Sequence, residues 1–129
     1  MERAPYIMAV DDDVDTLKLI RRILELEGYD VSVAADSRFA LALLEERMPD
    51  LIILDIMMPD LDGFQFLYLL RQRSGVPVIM LTGRTEMNLL KKALLLGADD
   101  FVKKPFSTRV LVARIQAKLR RARQKVARR

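Results

Sequence analysis

Five short apolar runs, each followed by a segment with helical spacing, recur along this chain and restrict what it can fold into. Strands that alternate with helices form βαβ units, and their crossovers place helices on both faces of a parallel sheet. The runs lie near Tyr6–Val10, Val31–Ala34, Leu51–Leu54, Val76–Leu81 and Asp100–Lys103. Between the first two, Leu17, Ile20 and Leu24 recur at helical spacing, with Asp13 or Asp15 as candidate N-cap and Gly28 just past the end. The spacing predicts further helices at about Ser37–Arg47, carrying Phe39, Leu43 and Leu44, and at about Phe64–Arg73. Two more run from Thr85 to Leu96, ahead of Gly97, and from Ser107 toward Val126. The fold class is therefore α/β, a doubly wound five-stranded parallel sheet with right-handed crossovers.

The 129 residues, 51% of them hydrophobic, suit one globular domain that buries roughly two-thirds of the surface its unfolded chain exposes. No apolar run approaches the roughly 18 residues of a membrane span, and the first residues lack a signal peptide's apolar stretch. A soluble, cytoplasmic protein is expected. With no cysteine and no histidine, thiol chemistry, zinc-thiolate sites and the usual general base are excluded. Carboxylates, hydroxyls and lysines remain. The net charge of +4 is unevenly spread, because residues 118–129 hold seven of the 22 basic residues and no acid. The body then carries 15 basic against 18 acidic residues, a net charge of −3, and the basic end reads as solvated helix or linker.

In an open sheet of this kind, ligands sit outside the C-terminal ends of the strands, where the strand order reverses. The residues delivered there are Asp11 and Asp12, then Asp55, Thr82 and Lys104. Asp55 is followed at once by a loop containing Pro59 and Gly63. Two like charges about 4 Å apart repel by roughly 4 kcal/mol at an effective dielectric near 20, so three clustered carboxylates need compensation. The Lys104 ammonium and a hard divalent cation would supply it, and oxygen-only ligands point to Mg²⁺ or Mn²⁺. A carboxylate in such a place can act as nucleophile toward a phosphoryl group, and Asp55 is the candidate. Each residue also has a plainer role open to it. Asp55 can be a turn-forming acid, Lys104 a solvated lysine before Pro105, Thr82 a strand-end hydroxyl bonded to backbone, and Phe101 a core aromatic.

Five motifs stand in register: Val10-Asp11-Asp12-Asp13, Asp55 through Gly63, Leu81-Thr82-Gly83, Gly97 through Phe101, and Lys103-Lys104-Pro105-Phe106. With them the chain resembles a receiver domain of the two-component response regulators, a CheY-like, flavodoxin-like (βα)5 fold with strand order 2-1-3-4-5. The resemblance implies that Asp55 accepts a phosphoryl group from a sensor histidine kinase in a Mg²⁺-dependent reaction. Asp12, Asp55 and the backbone carbonyl of Met57 would hold the metal, with Asp11 acting through water and by orienting Lys104. Thr82 and Lys104 would bind the phosphoryl oxygens, Gly83 would leave room for the group, and Phe101 would be the aromatic switch. Such a module is not an enzyme beyond its own phosphorylation and dephosphorylation.

The run from Asp11 to Asp15 also resembles a calcium loop, but Thr16 and Arg22 stand where that loop needs Gly and Glu. It resembles, too, the opening of haloacid-dehalogenase-like phosphatases, an alternative that would make Asp11 the nucleophile of a true enzyme.

The helix-five segment is most similar to receivers of OmpR/PhoB-type transcription factors. Residues 1–121 would then be the receiver, and residues 122–129 a basic helix end or linker toward an output domain. DNA would be reached only through that domain, with no membrane contact, and a stand-alone or hybrid-kinase receiver is the other arrangement. Relatives pair active subunits through charged residues on helix 4, strand 5 and helix 5. Here Leu90 and Val110 occupy positions of one such charged pair, while Asp100, Arg114 and Arg121 match. Lys91 stands where relatives have an apolar residue, and Leu89, Leu90, Leu95 and Leu96 are too many for one buried stripe. Either the helix is rotated and most of its leucines are buried, or some form an exposed patch for a dimer or a partner.

Overall fold

The computed structural model describes residues 3–56, 63–83 and 86–127, with side chains as far as residue 123. Strands β1 (Tyr6–Val10), β2 (Asp30–Ala34), β3 (Leu51–Leu54), β4 (Val78–Thr82) and β5 (Asp100–Lys103) alternate with α1 (Val14–Leu26), α2 (Ser37–Glu46), α3 (Gly63–Arg71), α4 (Met87–Leu95) and α5 (Thr108–Ala127). All pairings are parallel and the sheet order is β2-β1-β3-β4-β5. The expected doubly wound sheet is the one that forms.

The two-residue period of a strand divides the core into two layers. Met8, Val10, Ile52, Leu54, Val78 and Met80 face one side, where Ala40, Leu44, Phe66, Leu67 and Leu70 of α2 and α3 cover them. Ile7, Ala9, Leu51, Ile53, Ile79 and Leu81 face the other, against Leu17, Ile20 and Leu24 of α1 and Leu111, Ile115 and Leu119 of α5. Helices on both faces explain why β1, β3 and β4 are apolar at nearly every position. Each fully buried Leu, Ile or Phe contributes about 1.5–3 kcal/mol relative to leaving it exposed.

Local chemistry sets the helix limits. The Asp13 carboxylate accepts from Asp15 N at 3.1 Å and from the Thr16 hydroxyl at 2.8 Å, which settles the N-cap of α1 on Asp13. Asp36 caps α2 through Phe39 N at 2.8 Å. Gly28 and Gly97 follow α1 and α4 with φ of 86° and 107°, a left-handed backbone that glycine adopts without strain.

Three expectations are corrected, and a fourth falls outside the described residues. β4 begins at Val78, not Val76, because Pro77 has no N–H to donate and the Val76 carbonyl is taken by Arg71 Nη1 at 2.7 Å. Helix α4 begins at Met87, and the expected start at Thr85 lies outside the described residues. Phe39 does not join the buried stripe of α2. Ser37, Ala40 and Leu44 do, at i, i+3 and i+7, leaving Phe39 half-exposed beside Val14, Leu17 and Val33. Phe101 is likewise no core residue. It shares its register position with Met80 on the α4 side of an edge strand, and it stays 39% exposed because α4 buries only Ala93.

The leucine-rich fourth helix is therefore not packed throughout. Leu89 and Leu96 rest against the core, Leu90 is half-buried, and Leu94 and Leu95 are open, Leu95 at 88% exposure. Lys91 is exposed. Among the described residues no helix is long and apolar enough to cross a membrane.

Candidate functional site

The parallel sheet brings the C-terminal ends of β1, β3, β4 and β5 to one edge. Asp11 and Asp55 each continue a strand into that edge. Asp11 N donates to Ala34 O at 3.1 Å and Asp55 N to Val10 O at 2.9 Å, so both backbones are fixed by neighbouring strands. Their side chains are buried, with Asp11 at 1% and Asp55 at 7% exposure, while Asp12 is exposed. One carboxylate oxygen from each of the three lies within 4.8 Å of the others.

Lys104 reaches into this cluster from the end of β5, and its own N donates to Thr82 O at 2.9 Å. Its Nζ stands 2.6 Å from Asp11 Oδ2 and 3.2 Å from Asp55 Oδ2. Asp11 Oδ1 accepts from Asp13 N at 2.9 Å, whereas the buried Oδ2 has the ammonium as ion-pair partner and no hydrogen bond of good geometry. Burial pushes the Asp11 carboxyl above its ordinary pKa, partly offset by Lys104 and Asp13 N–H and reinforced by the Asp55 charge. Burial opposes the charge on Lys104, but the Asp11 and Asp55 carboxylates outweigh it and the lysine pKa rises. The two shifts have different origins: burial raises the acid, and two neighbouring acids raise the lysine.

That incomplete compensation fits a cation. Asp11 Oδ2, Asp12 and Asp55 offer a set of oxygens, the donor type that Mg²⁺ and Mn²⁺ prefer, and a divalent ion would meet the charge that one ammonium leaves unbalanced. The expected carbonyl ligand Met57 lies outside the described residues.

Thr82 closes β4, fully buried, opposite Lys103 in the β5 register. Lys103 is exposed, as strand alternation requires. A Cβ at Gly83 would meet no atom within 4 Å among the described residues. Gly63 is more constrained: a Cβ would lie 2.5 Å from Ile56 Cα and 2.7 Å from Asp55 O. Gly63 N also donates to Ile56 O at 2.6 Å, which fixes the start of α3 against the end of β3.

At the opposite end of β4 and β5 from these residues, one side chain had no counterpart in the sequence motifs. Arg71, in the last turn of α3, donates to Gly97 O at 2.7 and 3.1 Å, to Ser74 O at 3.1 Å, to Val76 O at 2.7 Å and to Asp99 Oδ2 at 3.1 Å. It fixes the α4–β5 turn to α3. Burial lowers its pKa and the Asp99 carboxylate opposes that shift. The basic residue in the final helical turn was the one sequence signal, and it reads equally well as a partner of the helix dipole.

Residues 7–116 match the model of the family described as the response regulator receiver domain. The DNA-binding response regulator MtrA of Mycobacterium tuberculosis (strain H37Rv) is 42% identical over 115 residues, covering 89% of this chain and 50% of that protein. The transcriptional regulatory protein CpxR of Klebsiella pneumoniae is 48% identical over 116 residues, 90% of this chain and 50% of that protein. The chain thus spans about half the length of the curated relatives it matches. Among solved structures, the CheY-like receiver domain protein of Methanospirillum hungatei JF-1 superposes with a TM-score of 0.91 at 34% identity, covering 95% of this chain and 99% of that one. The Vibrio cholerae chemotaxis protein CheY4 gives 0.86 at 32% identity, covering 89% and 98%.

Proposed function

The chain belongs to the response regulator receiver family, a signalling module of two-component systems, and from that premise we propose that Asp55 is its phosphoacceptor. The observation that carries this reading is the placement of three carboxylates and Lys104 at one strand edge, with Lys104 Nζ 3.2 Å from Asp55 Oδ2. A carboxylate oxygen of Asp55 attacks the phosphorus of a phosphohistidine on a sensor kinase. The phosphorus–nitrogen bond breaks, the imidazole leaves with its electron pair, and an acyl phosphate remains on Asp55. Lys104 pairs with the phosphoryl oxygens and the Thr82 hydroxyl donates to them. A bound Mg²⁺ or Mn²⁺ ion would supply charge neutralisation at the transferring oxygens. Asp11, Asp12 and Asp55 would hold it, together with the Met57 carbonyl that the family resemblance implies.

The acyl phosphate adds about −1.5 to −2 charges at the edge. Thr82 and Lys104 move toward it, the segment after Gly83 follows, and Phe101, half-exposed on β5, turns into the space beneath α4. The surface of α4, β5 and α5 is the readout. Its exposed Leu94, Leu95 and Val110 support pairing of two activated copies there. Residues 1–121 form the switch, and residues 122–129 lead to an output acting in the cytoplasm. The two relatives named as DNA-binding or transcriptional regulators support transcription control as that output. The phosphatase alternative would need Asp11 as nucleophile. Asp11 is the more enclosed of the two acids, at 1% exposure against 7% for Asp55, and the more tightly held by Lys104, at 2.6 against 3.2 Å.

The test is incubation with Mg²⁺ and a small phosphodonor, followed by intact-mass and peptide mapping. A stoichiometric, acid-labile adduct on Asp55, absent in Asp55→Asn and without Mg²⁺, is expected. Turnover of an external phosphoester that persists in Asp55→Asn contradicts the assignment.

A further inference from the structure

At the end of the sheet opposite Asp55, a cavity of about 530 Å³ opens beside the residues that precede β1 and β3. Arg3, Arg47, Asp50, Met48, Leu119 and Arg123 line it. Its volume is in the range that holds a small organic ligand. Five strand steps at about 3.3 Å each separate Asp50 from Asp55, roughly 16 Å, so the two sites are distinct. A second cavity of about 400 Å³, bordered by Tyr29, Gln116 and Arg120, shares Pro5, Leu119 and Arg123 with the first. The two run together along the end of α5.

Tyr6 holds two residues of the first cavity's lining. Its N–H donates to Asp50 Oδ2 at 2.7 Å, and its ring lies under the Arg47 guanidinium, 4.3 Å from the centroid. Stacking of this kind positions Arg47 while using none of its N–H groups. Neither the Arg3 nor the Arg47 guanidinium makes a hydrogen bond or an ion pair among the described residues. Three guanidinium side chains and one carboxylate therefore surround a cavity whose remaining wall is apolar, from Pro5, Met48 and Leu119.

We propose that this cleft binds a diphosphate-bearing small molecule. The planar guanidinium matches phosphate oxygens with paired hydrogen bonds and stays charged at every working pH. The aliphatic wall suits a ring, and Asp50 accepts from an N–H donor while repelling bare anions. That combination favours a nucleoside diphosphate over pyrophosphate. Arg3 comes from the segment before β1, Arg47 from the α2–β3 connection and Arg123 from α5. A bound ligand would join the end of α5 to the sheet, at the point where the chain leaves toward its basic tail.

The experiment is isothermal titration of the full chain with ADP, AMP and inorganic pyrophosphate in buffer containing EDTA. Without a divalent cation the acidic cluster at Asp55 repels phosphates. Saturable one-to-one ADP binding is expected, unchanged in Asp55→Asn and weaker for AMP. Arg47→Ala and Arg123→Ala should each weaken it by about tenfold or more, with both unliganded variants still folding cooperatively on thermal melting. Pyrophosphate binding as tightly as ADP would support the phosphate site and assign its selectivity to the anion alone. Four results overturn the proposal: no saturable binding of either diphosphate, binding that survives both arginine variants, binding lost in Asp55→Asn, or retention of a DNA duplex by the same arginines without diphosphate binding.

Discussion

Helices α4 and α5 flank the same edge strand, yet they are attached by different means. Helix α5 inserts Leu111, Ile115 and Leu119 into the core at i, i+4 and i+8, and Arg114 Nη1 meets both carboxylate oxygens of Asp100 at 2.9 Å. Helix α4 buries only Ala93, and its N-cap residue Glu86 makes no side-chain capping bond. Its remaining ties are peripheral. Lys92 Nζ lies 4.5 Å from the centre of the Phe64 ring, and Arg71 holds the turn that follows the helix. Burial energy is thus concentrated in α5, while α4 depends on polar contacts and partial burial at its ends. An element held that way opens at lower cost, and the segment linking it to Thr82 at the proposed phosphoacceptor edge begins at Gly83. The contrast supports α4 as the moving part of the proposed switch and α5 as its fixed support.

The largest effect expected from breaking this contrast is in the support. Ile115→Ala removes a fully buried side chain and should cost about 2–5 kcal/mol in denaturant unfolding. Arg71→Met tests the polar attachment of α4. It leaves the carbonyls of Gly97, Ser74 and Val76 without their shared donor and should cost about 1–3 kcal/mol. Hydrogen exchange should also speed up in α4 and the following turn more than in α5. The smallest effect belongs to Leu95→Ala, at 88% exposure, which should stay within about 0.5 kcal/mol of the parent chain. A cost for Leu95→Ala comparable to that of Ile115→Ala would erase the distinction between the two helices.

The sheet and its edge were legible in the sequence because both follow from local rules. Apolar runs of strand length bounded by turn residues located all five strands, and strand ends delivered Asp11, Asp12, Asp55, Thr82 and Lys104 without knowledge of packing. What escaped depends on how separate elements meet. Periodicity placed Phe39 in the α2 stripe, but one residue turns a helix by about 100°, and Ala40 took the inward position. Phe101 read as a core aromatic because alternation alone gives no sign that the covering helix fully buries a single residue, Ala93. The leucines of α4 left two arrangements open, and only the assembled layer shows Leu89 and Leu96 packed while Leu94 and Leu95 are not. The Arg71 clasp and the arginine-lined cleft draw on chain positions far apart, which no local pattern records.

The most direct test is hydrogen exchange with and without a small phosphodonor and Mg²⁺, in the parent chain and in Asp55→Asn. Phosphorylation should change protection in α4 and β5 while the buried stripe of α5 keeps its slow exchange, and Asp55→Asn should show no response. Unchanged exchange in α4 of the phosphorylated chain, or the same change in Asp55→Asn, would contradict the claim that charge at Asp55 is read out through the weakly held helix.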